Sequence, residues 1–154
     1  MDRWSDPEWL TLRLGPLWAL SALTGRCRFD ADEQRAFWDC VSEVATASSG
    51  LSRTLLAAMA SDRRWLFDEF ELDGRSIVSG FNAVTTLLER AGRETSADVR
   101  QMLLRVGREF ARARGPFGRR ITIEDQQTLL LMEQLLQSST ETADDNPLNS
   151  HRAI

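Results

Sequence analysis

A chain of 154 residues with 42 % hydrophobic residues and a formal charge of −4 is long enough for one domain whose core needs neither disulfide nor metal staples. All 19 basic residues are arginine and tyrosine is absent, which excludes a lysine Schiff base, a P-loop lysine and a tyrosine acid or nucleophile. The single histidine is His151, and Cys27 and Cys40 form no CxxC pair, so no zinc site, redox dithiol, cofactor or catalytic residue is expected.

The chain opens Met-Asp-Arg-Trp, with Asp2, Asp6 and Glu8 ahead of any apolar run, unlike a secretory signal. Ser5-Asp6-Pro7-Glu8 reads as a helix start with Asp6 as the cap and proline in the first turn. Trp9 to Leu23 is strongly apolar, but Gly15-Pro16 interrupts it, so this helix is expected to kink or divide. An apolar surface all round predicts a central position in a bundle, with Trp4, Trp9 and Trp18 in the core. The longest apolar stretch, Leu14 to Leu23, falls well short of the ~20 residues of a membrane helix. A soluble, cytoplasmic protein is expected.

Gly25-Arg26-Cys27-Arg28-Phe29-Asp30-Ala31-Asp32-Glu33-Gln34 is a charged turn that leads into a second helix running to about Thr46. Asp30 is placed to cap it, with Glu33 reaching back to the cap's own N–H. Ser48-Ser49-Gly50 ends that helix, and a short third one is expected over Leu51 to Ala60. Asp62 is placed to cap a fourth, with Trp65, Leu66, Phe67 and Phe70 as its apolar members and Asp73-Gly74 as its closing turn. Ile77 to Ala91 reads as the fifth, ending at Gly92.

Thr95 or Ser96 is the expected start of the longest helix, which runs to about Ala113 with Val99, Met102, Leu103, Val106 and Phe110 inward. Gly107 inside it predicts close approach of a neighbouring helix. After Gly115-Pro116-Phe117-Gly118 the charged turn returns as Gly118-Arg119-Arg120-Ile121-Thr122-Ile123-Glu124-Asp125-Gln126, with Thr122 as cap and Asp125 at the third helical position. This last helix is expected to reach about Gln137, with Leu129, Leu130, Met132, Leu135 and Leu136 as its apolar members. Ser138 to Ile154 is poor in apolar residues and reads as a disordered tail. The expected fold is all-α, a single compact bundle of about seven helices over residues 1–137, with on the order of two-thirds of the chain helical.

The two joints, together with Leu103-Leu104-Arg105-Val106-Gly107-Arg108-Glu109-Phe110-Ala111, resemble the tellurite-resistance TerB-like family over Leu14 to Val41 and Val99 to Leu136. The resemblance implies a compact helical domain from stress-response and co-chaperone contexts, in which acids at the helix joint have been proposed to bind metal. The family's joint reads Asp-Gly, two residues, Asp, two residues, Glu. Asp30 and Glu33 match the later acids, while Arg26 and Cys27 stand at the Asp-Gly positions, so no metal site is expected.

Function is framed by three classes. The first is a non-catalytic interaction or scaffold module with protein partners. The second is an anion-binding module for phosphate, nucleic acid or anionic lipid. From Arg100 to Arg120 seven arginines face one acid, Glu109, a formal +6, and Arg105, Arg108 and Arg112 share a helix face with Arg119 and Arg120 able to fold beside them. The expected state of that stripe is a solvated face neutralised by acids of neighbouring helices such as Glu124. The third is an enzyme using Asp30, Asp32, Glu33, Asp68, Glu69 or Glu71, but adjacent acids in Asp68-Glu69 point to different sides of a helix and do not converge. No catalytic role is expected.

Overall fold

A computed structural model describes residues 3–115 and 120–152, with side chains as far as 137. The order is α1 (Asp6–Arg13), α2 (Gly15–Thr24), α3 (Ala31–Thr46), α4 (Gly50–Ser61), α5 (Leu66–Asp73), α6 (Ile77–Leu88), a 3-10 turn (Glu89–Ala91), α7 (Arg93–Arg114) and α8 (Ile123–Arg152). Helix accounts for 81 % of the described residues and no strand is present among them, an all-α bundle. The eighth helix arises because Gly15-Pro16 divides the first apolar segment into α1 and α2. Pro16 has no N–H to continue the ladder.

The bundle is built around α2, where every residue from Gly15 to Ser21 is buried, and so is Leu23. It packs against α1, α6, α7 and α8, while α7 in turn meets α3, α4, α6 and α8. Close approach is written into two glycines. A methyl group on Gly80 of α6 would fall 2.2 Å from the Trp18 ring, and one on Gly107 of α7 would fall 3.0 Å from Met132 Cε of α8. Beside this axis Phe29, Phe37, Trp38, Phe67 and Phe70 form an aromatic cluster with ring centroids 5.2–6.0 Å apart. Trp4 and Trp18 are buried, and Trp9 is partly buried and stacked on Trp4.

Several helix ends differ from expectation. Ser5, not Asp6, caps α1: its extended backbone leads into the helix, its hydroxyl accepts from Glu8 N–H and Glu8 accepts from Ser5 N–H. Asp62 does not cap α5. It closes α4, and its carboxylate pairs with Arg13 of α1 instead. α7, expected to be the longest helix, has 22 residues against 30 in α8, and it starts at Arg93 rather than at Thr95 or Ser96, because Gly92 turns the chain at φ 90° and its carbonyl accepts the first helical bond from Ser96 N–H at 2.9 Å. Trp65 and Leu130, both among the apolar members read for their helices, are exposed. Trp65 sits just before α5 in a non-helical conformation. Leu130 loses the competition with Leu129 for the inner face of α8, since three consecutive leucines span too wide an arc of a helix. The backbone of α8 continues to Arg152, past the expected end near Gln137 and through most of the stretch read as a tail. Low apolar content removes a packing face without breaking a helix, no glycine follows Gly118, and the one proline, Pro147, falls in the last two turns. None of the described helices is long and apolar enough to cross a membrane.

Candidate functional site

At the first joint Asp30 accepts from Glu33 N–H at 2.8 Å and Glu33 accepts from Asp30 N–H at 3.0 Å. The remaining carboxylate oxygen of Glu33 is taken by the Arg26 guanidinium, and Arg28 Nε donates to Glu71 of α5 at 2.7 Å. A divalent cation needs several free oxygen ligands. Here both acids are engaged and a guanidinium occupies the approach, so these residues do not fit a metal. At the second joint Thr122 caps α8, accepting from Asp125 N–H at 3.1 Å. Asp125 makes no return bond to the cap. It is buried and faces Arg114 of α7 at 3.4 Å, tying the two helices together. No three His, Cys, Asp or Glu side chains gather around one point among the described residues.

The arginine stripe is neutralised less than expected. Arg112 donates to Glu109 of its own helix at 2.9 Å, whereas Glu124 takes part in no ion pair among the described residues. Arg105, Arg108 and Arg120 are exposed with no carboxylate partner among the described residues, and Arg119 lies outside those residues. Arg100 is half-buried, with its Nε unpartnered, and burial lowers its pKa. Between α3 and α7, Ala36, Asp39, Cys40, Glu43, Glu109 and Arg112 line a hollow of about 210 Å³. Burial and then the nearby Glu109, Glu43 and Asp39 push the Cys40 thiol up to about 12, so it stays protonated and is no nucleophile.

No family model, curated protein or solved structure matches the chain.

Three features escaped the sequence reading. A groove of about 560 Å³ lies between α1 and α6, with Glu8, Thr11, Arg75 and Arg90 among its lining. Both of its arginines are engaged: Arg90 forks onto Glu8 at 2.9 and 2.7 Å, and Arg75 reaches Asp73 at 2.7 Å and Thr11 Oγ1 at 3.0 Å while lying over the Trp18 ring. The guanidinium of Arg90 and the N–H of Ser5 hold the Glu8 carboxyl down at about 2. Second, a cleft of about 110 Å³ opens between the start of α4 and α7, lined by Ala47, Ser48, Ser49, Ser52, Asp98, Gln101, Met102 and Arg105. Third, α8 has an apolar outer face. Ile123, Leu130 and Leu131 are 70, 60 and 60 % exposed. Ile123 and Leu130 are one heptad apart, so they stand on one side of the helix with Leu131 beside them. That signal was present in the run Leu129-Leu130-Leu131, which no single buried stripe accommodates.

Proposed function

We propose that this protein is a non-catalytic helical interaction module of the TerB-like kind, acting in a cytoplasmic stress response, and that it docks a helix of a partner protein on the outer face of α8. The observation that carries the reading is the two-sidedness of α8. Met132 and Leu136 are buried in the core, with Leu129 and Leu135 packed against it. Ile123, Leu130 and Leu131 turn the other way, between the exposed polar side chains of Gln127 and Gln134. Apolar anchors one heptad apart on one side of a helix, Ile123 and Leu130 with Leu131 beside them, are what a second helix packs against. A fold held by α2 and α7 leaves that face free for recognition.

The double variant Leu130→Glu/Leu131→Glu tests this. It is expected to melt within a degree or two of the parent, whereas Leu136→Ala loses roughly 2–5 kcal/mol through the cavity it leaves. In gently prepared extracts the parent is expected to elute as a complex well above its 17.4 kDa, and the double variant as a free chain. Elution of both at the monomer position would reject the reading.

A second reading is favoured by one observation, the absence of a carboxylate partner for Arg105 and Arg108 among the described residues. If the stripe binds a polyanion, titration of a labelled oligonucleotide or anionic vesicles will weaken with salt, with a log–log slope of about 0.9 per duplex phosphate engaged. Arg108→Glu will then flatten that slope. A flat response in both proteins at physiological salt removes this reading.

A further inference from the structure

We infer that the cleft between the N-terminus of α4 and α7 is a binding site for a single phosphoryl group, free or as a small monoester, held by Ser52, through its amide and hydroxyl, and by Arg105. The inference is independent of the α8 face, which contributes nothing to the cleft, and shares only Arg105 with the arginine stripe.

The first helical hydrogen bond of α4 runs from Arg53 N–H to Ser49 O at 3.4 Å. The N–H groups of Gly50, Leu51 and Ser52 therefore have no acceptor within the helix, and they carry the positive end of its dipole. Ser49, the N-cap, makes no side-chain bond to them, and the first turn holds no acid. Gly50 enters at φ +58°, and of these three residues Ser52 is the one that lines the cleft. The terminus alone would be ordinary, with water as the acceptor.

What sets it apart is Ser52. This residue is only 5 % exposed, lines the cleft, and its Oγ has no hydrogen-bond partner among the described residues. A buried hydroxyl left unpaired is destabilising, so its presence calls for an acceptor. Across the cleft Arg105 brings a guanidinium with no carboxylate partner among the described residues, and a guanidinium forks readily onto two oxygens of a phosphoryl group. Ser49 adds a hydroxyl at the mouth. The Ser48 proton is already given to Val44 O at 2.7 Å, which leaves only its lone pairs. The volume of about 110 Å³ is three to four times the ~30 Å³ a water molecule occupies in the liquid. It admits a tetrahedral oxyanion.

Asp98 is the opposing charge. Its exposed carboxylate lines the same cleft and disfavours a dianion, so it limits affinity and supplies a test of sign. Inorganic phosphate and glycerol phosphate are each titrated into the full-length protein by calorimetry, alongside Ser52→Ala, Arg105→Gln and Asp98→Asn. Saturable 1:1 binding is expected, weakened at least about tenfold in Ser52→Ala and in Arg105→Gln and strengthened several-fold in Asp98→Asn. Binding of both probes identifies a monoester ligand, with its ester oxygen toward the mouth, and binding of inorganic phosphate alone identifies the free ion. Ser52→Ala is expected to melt no lower than the parent without phosphate, since it removes an unsatisfied group. Arg105→Gln changes an exposed side chain and leaves the fold intact. No saturable binding, or binding that Ser52→Ala and Asp98→Asn leave unchanged, overturns the site. Oligonucleotide binding that is insensitive to Ser52→Ala reports on the stripe, not on this cleft.

Discussion

Two glycines in helix interiors carry opposite consequences because of what each meets. A Cβ at Gly80 would lie 2.2 Å from the indole of Trp18, a fully buried ring that also packs edge-on against Phe70. The ring has nowhere to retreat, so Gly80→Ala is expected to destabilise by roughly 1–3 kcal/mol through overpacking. In a chain of this size that lowers the melting temperature by about 2–4 °C per kcal/mol. Gly107 is approached within 3.4 Å by the ends of Met132 and Leu129 alone, at 3.0 and 3.3 Å, with Ala19 Cβ at an ordinary contact distance of 3.8 Å. Those flexible tips can yield, and alanine gains up to ~1 kcal/mol of helix propensity, so Gly107→Ala is expected to be close to neutral. Equal melting losses in the two variants would contradict the packing described for α2 and α6.

At the scale of elements, the ends of helices are governed by two kinds of interaction that differ in how far they reach along the chain. Asp30 with Glu33 is a local pairing three residues apart, and it was legible because a capping box needs only its own sequence. Asp62 was misread for the complementary reason: its partner, Arg13, lies forty-nine positions away, and nothing in the spacing announces it. The same holds for Asp125 with Arg114 and for Arg75 over Trp18. The cleft at α4 was invisible for a similar reason, since Ser52 and Arg105 meet only once α4 packs on α7. The Arg13–Asp62 pair is mostly shielded, with both side chains under one-fifth exposed, and burial lowers the Arg13 pKa. Asp62→Asn is therefore expected to destabilise by roughly 1–3 kcal/mol, as when a charged hydrogen-bond partner is lost. Asp32→Asn, whose 3.5 Å pair with Arg35 is largely in solvent, is expected to change stability by less than about 0.5 kcal/mol. Urea titrations of the two variants measure the difference.

For the whole molecule, charge sets the acid limit. Glu8 is held at about 2 against an ordinary 4.5 by Arg90 and by its capping bond, and Asp73 is lowered by Arg75. A carboxylate depressed in the folded state stabilises fully above its unfolded pKa, and that stabilisation disappears as pH falls through the folded value. Stability is thus expected to decline between about pH 4.5 and 2. Glu8→Gln should flatten this limb, and added salt should blunt the difference, because the Glu8–Arg90 pair is exposed to solvent. Urea midpoints at several pH values test this, and a limb unchanged by Glu8→Gln would contradict it.

The bundle as a whole combines a core set by α2 and α7 with a helix, α8, that has one face packed into that core and another that exposes Ile123, Leu130 and Leu131, the face proposed to dock a partner. The most direct measurement is photo-cross-linking in cells from a reactive amino acid placed at Leu131, with Arg53 on α4 as the control position. A single adduct of defined mass is expected from position 131, absent from position 53 and lost when Leu130→Glu is added; an adduct of twice the chain mass would make the partner a second copy. No adduct from position 131, or the same adducts from both positions regardless of Leu130→Glu, would contradict the account.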